Sequence, residues 1–141
     1  MKDKLKIVKI GGNVINDERQ LSSFLNYFSV LEGCKLLVHG GGRRATELAN
    51  ALGVATKMVA GRRITDEKGL EIVTMVYAGL LNKKIVAGLQ AHGCNALGLT
   101  GADANSIMAH KRTGSEIDYG FAGDIDRGDA VRVGSLIQAG L

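Results

Sequence analysis

Three glycine clusters, each set directly after a short apolar run, constrain this chain more than any other feature. They are Lys9-Ile10-Gly11-Gly12, Val38-His39-Gly40-Gly41-Gly42 and Leu99-Thr100-Gly101-Ala102-Asp103. The apolar runs before them, Leu5 to Ile10, Lys35 to His39 and Ala96 to Thr100, have the length and bounds of strands. Helical periodicity fills the gaps. Leu21, Phe24, Leu25, Phe28 and Leu31 predict a helix to about Glu32, with Asp17 and Gln20 at capping-box spacing and Gly33 as its stop. A second helix runs through Ala45, Leu48, Ala49 and Leu52 and stops at Gly53. Strand, helix, strand, helix and a further strand is the alternation of an α/β protein with parallel strands.

Two stretches depart from that rhythm. Residues 56 to 65 read as a hairpin turning near Gly61. Thr65 or Asp66 then caps a long helix, 67 to 91, with Leu70, Val73, Tyr77, Leu80 and Leu81 on its apolar face. After the third cluster, Ile107 to His110 reads as another strand, residues 113 to 130 as a second hairpin, and Val133 to Ala139 as a final helix. The length suits a single domain over residues 1 to 141.

The 20 glycines are about twice the usual share of ~7%. With no proline in the chain, they point to built loops rather than loose linkers. The net charge of +4 suits a small anionic ligand. Basic residues form no long run and aromatics are 4%, which argues against nucleic acid. Cys34 and Cys94 have no metal spacing and are expected as buried thiols. No leader or membrane-spanning run is expected, so the cytoplasm is the expected location.

Ligands in open parallel sheets bind along the carboxyl edge of the strands, where all three clusters are expected. Glycine lets a ligand approach the backbone and accept its N–H groups. The middle cluster also opens a helix, whose free N–H groups and dipole favour an anion. No P-loop pattern is present. Gly40, Gly42 and Ala45 fit a G-x-G-x-x-A spacing, but the acidic partner expected about 20 positions on would be Asp66 or Glu67, which open a helix instead. Lys9, at a strand's carboxyl end, either meets an anion at this edge or is a solvated lysine. Arg62 and Arg63 are either a carboxylate fork or a charged pair on an exposed hairpin. His39 is placed to orient the glycine loop. No histidine or carboxylate grouping has metal-ligand spacing.

Taken together, Lys9-Ile10-Gly11-Gly12, Val38-His39-Gly40-Gly41-Gly42 and Gly61-Arg62-Arg63-Ile64-Thr65 before a long helix resemble the amino-acid kinase family, and within it the acetylglutamate kinases. Asn82-Lys83-Lys84 and the loop from Gly98 to Asp103 strengthen the resemblance. It implies a three-layer αβα sandwich with a mainly parallel open sheet, of which this chain is the N-terminal, substrate-binding lobe. It implies transfer of the ATP γ-phosphate to the γ-carboxylate of N-acetyl-L-glutamate, or another N-acylglutamate, in arginine biosynthesis, with Mg²⁺ accompanying ATP. Lys9 matches the lysine on the transferring phosphoryl group, and Gly11 and Gly12 the loop beside the phosphates. Gly41 and Gly42 match the backbone that binds substrate, and Arg63 the arginine on its carboxylate. The helix at 67 to 91 matches a homodimer interface. A second catalytic lysine, an organising aspartate and most of the ATP site are expected beyond Leu141. The alternatives are a non-catalytic acylglutamate-binding module and a dinucleotide-binding oxidoreductase half.

Overall fold

In the computed structural model, which describes residues 4–114 and 116–141, the expected α/β alternation is present. Strand β1 (Lys6–Ile10) lies parallel to β2 (Lys35–His39), with Lys9 opposite Val38 and Ile10 opposite His39. Between them run two helices, not one: a short α1 (Gly12–Asn16) and then α2 (Glu18–Ser29). Asp17 separates the two. Its carboxylate accepts from the backbone N–H groups of Arg19 and Gln20 and from the Gln20 amide. That cap is worth about 1 kcal/mol. The helix ends three residues before Glu32.

Helix α3 (Gly42–Ala51) follows β2. Strands β3 (Lys57–Val59) and β4 (Arg62–Ile64) form the predicted antiparallel hairpin. Ala60 and Gly61 at its turn both have positive φ, at 48° and 74°. The long helix α4 (Glu67–Ala91) is also as expected, started by Asp66, whose carboxylate accepts from the Gly69 N–H.

The buried face of α4 keeps Val73, Tyr77 and Leu81 of the predicted one but not Leu70 and Leu80. Leu70 and Leu80 are exposed, and the buried residues are Ile72, Val76, Leu81, Ile85 and Leu89. The reason for Leu80 lies in Met75–Leu81, which winds as π-helix. Wider turns move the inward position from i+4 to i+5, so the buried series steps by four, then five, then four and four. By length and composition α4 is also long and apolar enough to cross a membrane, which revises the reading that no segment is. Its inner face packs instead against α2 and α3.

The third expected strand is absent. Ala96–Thr100 pairs with no neighbour, and β1 and β2 pair only with each other among the described residues. Its carbonyls are met by α4 side chains instead: Lys83 Nζ donates to Gly98 O at 3.1 Å and Asn82 Nδ2 to Leu99 O at 3.5 Å. Strand β5 (Ile107–Lys111) is close to its predicted position. The expected hairpin within 113 to 130 is replaced by β6 (Gly123–Gly128) pairing antiparallel with β5 across a long loop. The last helix, α5 (Ala130–Gln138), begins earlier than predicted because the Asp129 side chain caps it through Arg132 N–H. Cys34 and Cys94 are free thiols and half-buried rather than buried.

The core lies between the β1–β2 sheet and helices α1 to α4. It comprises Ile10, Ile15, Leu21, Leu25, Phe28, Ala45, Ala49 and the inner face of α4, with Val8 and Leu37 of the sheet packed on it. Each fully buried Leu, Ile or Phe contributes roughly 1.5–3 kcal/mol. Strand alternation puts Ile7, Lys9 and Val38 on the other face, and all three are exposed.

Candidate functional site

The parallel register of β1 and β2 brings their carboxyl ends side by side, so Gly11 and Gly40 leave adjacent strand ends. Gly11 is the N-cap of α1 and Gly41 that of α3. Two of the three glycine clusters therefore share one sheet edge. The third belongs to the loop that follows Ala96–Thr100.

At the middle cluster, Gly41 is buried against Tyr77 and Leu81 of α4. Its lack of a side chain serves this packing. Gly42, the first residue of α3, presents its carbonyl to two donors. Thr46 Oγ1 donates to it at 3.0 Å and Arg63 Nη2 at 3.1 Å. Arg63 Nη2 also donates to Thr46 Oγ1 at 2.7 Å, and Nη1 to Thr56 Oγ1 at 3.0 Å. The hairpin thus carries Arg63 onto the opening turn of α3, and the exposed neighbour Arg62 stays outside.

Arg63 is half-buried, and among the described residues it has no carboxylate partner. Its three acceptors are neutral. A guanidinium so placed, next to the positive end of a ten-residue helix, leaves a net positive field with part of its hydrogen-bonding capacity unused. Such a field favours an anion, and a planar carboxylate suits an arginine best.

The hairpin is held from its far side as well. Thr65 N–H donates to Tyr119 O at 3.0 Å, and Phe121 N–H donates to Thr65 O at 2.7 Å. This pins the residue two positions after Arg63 to the loop between β5 and β6.

Lys9 is exposed, on the sheet face turned away from the helices, and no acid among the described residues pairs with it. Its ammonium therefore carries no burial cost. No hydrogen bond links Lys9, Gly11 or Gly12 to the Arg63 group among the described residues, so the predicted site residues fall into two neighbouring sets.

His39 faces the core side of the sheet. Its Nδ1 lies 3.0 Å from Gly40 O and its Nε2 3.5 Å from Asn82 Nδ2. A carbonyl only accepts, so Nδ1 carries the proton and Nε2 accepts from the amide. His39 and the buried Asn82 thereby tie the start of the glycine loop to α4. In the third cluster, Asp103 accepts from Thr100 N–H at 2.6 Å and from its hydroxyl at 2.8 Å. The backbone N–H, then the hydroxyl, hold its carboxyl below the ordinary aspartate value. It is committed to closing its own loop.

Among the described residues no group of three or more His, Cys, Asp or Glu could hold a metal ion. Sequence reasoning missed Thr46 and Thr56. The available signal was Thr46 one helical turn after Gly42, on the face that the hairpin covers.

The comparisons with known proteins identify the family and the fold. Residues 4–141 match the amino acid kinase family. The chain is 56% identical over 141 residues to the acetylglutamate kinase of Bacteroides fragilis, covering all of this chain and 54% of that protein. Identity to the acetylglutamate kinase of Methanopyrus kandleri is 37%, covering 96% of this chain and 54% of that protein. The chain thus spans about half the length of the curated relatives it matches. Among solved structures, N-acetylglutamate synthase from Neisseria gonorrhoeae, complexed with coenzyme A and N-acetyl-glutamate, superposes with a TM-score of 0.76 at 23% identity, over 96% of this chain and 31% of that one. The smu.665 protein of Streptococcus mutans gives 0.76 at 21%, over 99% of this chain and 56% of that one. At such identities these two speak for the fold alone. With its parallel strand pair, its glycine loop opening α3 and its match from residue 4 to the last residue, the chain belongs to the amino acid kinase family.

Proposed function

We propose that this chain is the acylglutamate-binding half of a phosphotransferase that moves the γ-phosphate of ATP to the γ-carboxylate of N-acetyl-L-glutamate in arginine biosynthesis. One observation carries the reading: the half-buried Arg63 guanidinium stands on the first turn of α3 with only neutral partners. A dicarboxylate substrate supplies the missing charge. Its non-reacting carboxylate goes to Arg63, since an arginine on the nucleophile itself would blunt it. Backbone groups of Gly41 and Gly42 complete the cradle.

The chemistry makes small demands on acid–base groups. A γ-carboxylate has a pKa of about 4.3 and is ionised at neutral pH, so no general base is needed. Two anions must be aligned and their charge neutralised. Lys9 takes the part of the cation on the transferring phosphoryl group, and Gly11 and Gly12 that of the loop beside the phosphates. Mg²⁺ enters as a companion of the ATP phosphates. The exposed Met75 and Leu80 on α4 support a homodimer formed through that helix. We place the enzyme in the cytoplasm with the other reactions of amino-acid synthesis.

The dinucleotide alternative loses its basis in the topology. After α3 the chain enters an antiparallel hairpin, whereas a dinucleotide fold continues into a parallel strand ending in an acidic residue.

Calorimetry with N-acetylglutamate, ATP and NAD tests the reading. Binding of acylglutamate that Arg63→Ala weakens strongly is the expected result. Binding of NAD without acylglutamate would sink it. Trapping of an acyl phosphate with hydroxylamine then separates turnover from binding alone.

A further inference from the structure

The bonds around Arg63 assign every donor and acceptor in a small closed ring. Thr46 has one hydroxyl proton. It goes to Gly42 O, the carbonyl one turn earlier, at 3.0 Å. The Thr46 oxygen is therefore left as an acceptor, and Arg63 Nη2 donates to it at 2.7 Å. The same Nη2 donates to Gly42 O at 3.1 Å, closing the ring. On the other arm Nη1 donates to Thr56 Oγ1 at 3.0 Å. A guanidinium has five N–H groups. The ring occupies Nη2 and Thr56 takes one Nη1 hydrogen, so Nε–H and the other Nη1 hydrogen, on different edges of the plane, are left for a ligand.

An arginine on a three-residue edge strand has several rotatable bonds and would otherwise sample many directions. Here its plane is set from two sides, by a hydroxyl on α3 and by another just before β3. Both hydroxyls are neutral, so they hold the arginine without cancelling its charge. A carboxylate in either place would hold it as well but would compete with an anionic ligand.

We infer that Thr46 is a positioning residue for carboxylate recognition. Its hydroxyl, assisted by that of Thr56, fixes the plane of the Arg63 guanidinium so that a free N–H meets the non-reacting carboxylate of the substrate. This deepens the acylglutamate reading and rests on it.

The test uses the chain with Thr46→Val, which keeps the shape and removes the hydroxyl, and Thr46→Ser, which keeps the hydroxyl. Calorimetry compares N-acetylglutamate with its α-carboxamide. The unaltered chain prefers the carboxylate. Thr46→Val reduces that preference by about tenfold, the scale of one hydrogen bond to a charged group, and Thr46→Ser restores most of it. In an Arg63→Ala background the Thr46→Val change has no further effect on the preference, which a general weakening of the fold would not reproduce. Nitrogen NMR of the Arg63 guanidinium supplies a ligand-free arm. Slow rotation of its Nη groups is expected in the unaltered chain and in Thr46→Ser, and fast rotation in Thr46→Val. Unchanged preference and unchanged Nη rotation in Thr46→Val overturn the inference. If the unaltered chain binds neither ligand, the acylglutamate reading fails, and the NMR arm still decides whether Thr46 fixes Arg63.

Discussion

The Tyr77 ring fills the space that a side chain at position 41 would enter: a Cβ on Gly41 would stand 2.8 Å from Tyr77 Cδ1 and 2.5 Å from Leu81 Cδ1. The glycine loop therefore lies directly on α4. Its middle residue is glycine because of the helix behind it, and the same contact holds Gly42 where Arg63 reaches it.

Gly41→Ala is expected to destabilise the fold by about 1–3 kcal/mol, the range for an added methyl in a packed site. Leu81→Ala should recover part of the loss in the double variant, because it vacates the nearest clash. Denaturant unfolding of the four proteins in the cycle checks this. Additive losses would mean that the loop does not press on Leu81.

Arg63→Ala should weaken N-acetylglutamate binding by on the order of 2–5 kcal/mol, the loss that follows truncation of one partner in a desolvated charge pair. Arg63→Lys should restore little, because one ammonium cannot serve Thr46, Thr56 and a planar ligand at once. Calorimetry at fixed salt reads both.

Lys9→Met is expected to leave stability within about 0.5 kcal/mol, as for an exposed side chain with no partner. Acylglutamate affinity should hold as well. Where hydroxylamine trapping detects acyl phosphate, its rate should fall by roughly 10²-fold or more, the loss typical of one transition-state charge contact. Thermal unfolding and trapping on the same preparation separate the two effects. Equal loss of binding and turnover would move Lys9 into the carboxylate pocket.

The Asp103 loop should be acid-sensitive in one direction only. Its carboxyl is held below the ordinary value by Thr100, so the support it lends is complete above the unfolded value of ~3.9 and is lost as pH falls through the lower folded value. The Thr100 amide proton should titrate with that lowered midpoint in NMR, and Asp103→Asn should remove the titration. A midpoint at or above the unfolded value would contradict the bonding described.

Much of the fold was legible in the sequence because each feature has a local cause. Asp17 and Asp66 cap helices through their own side chains, Gly61 turns a short hairpin, and Gly41 and Gly42 open α3 after an apolar strand. Arg63 stood out as an arginine beside that turn, although only the structure shows it reaching Gly42. The failures came from forces that act over distance. Ala96–Thr100 has the composition of a strand, but a strand needs a neighbour, and Lys83 and Asn82 take up its carbonyls instead. The partner of β5 lies beyond a loop that periodicity does not reveal. The inner face of α4 was misassigned at Leu80 because a count of 3.6 residues per turn does not anticipate wide turns.

Those wide turns give α4 a seam. The extra residue between Val76 and Leu81 makes this stretch the one place where the helix can change length cheaply. Deleting Gly79 would let the stretch rewind as ordinary α-helix, with Ile72 and Val76 before it and Ile85 and Leu89 after it still facing the same neighbours. A deletion earlier in the helix would swing everything beyond it by about 100° and carry Asn82 away from His39. A relative one residue shorter here could keep the same glycine loop on the same helix, so a gap at this point in a comparison of sequences would mark a change of winding and not a change of site.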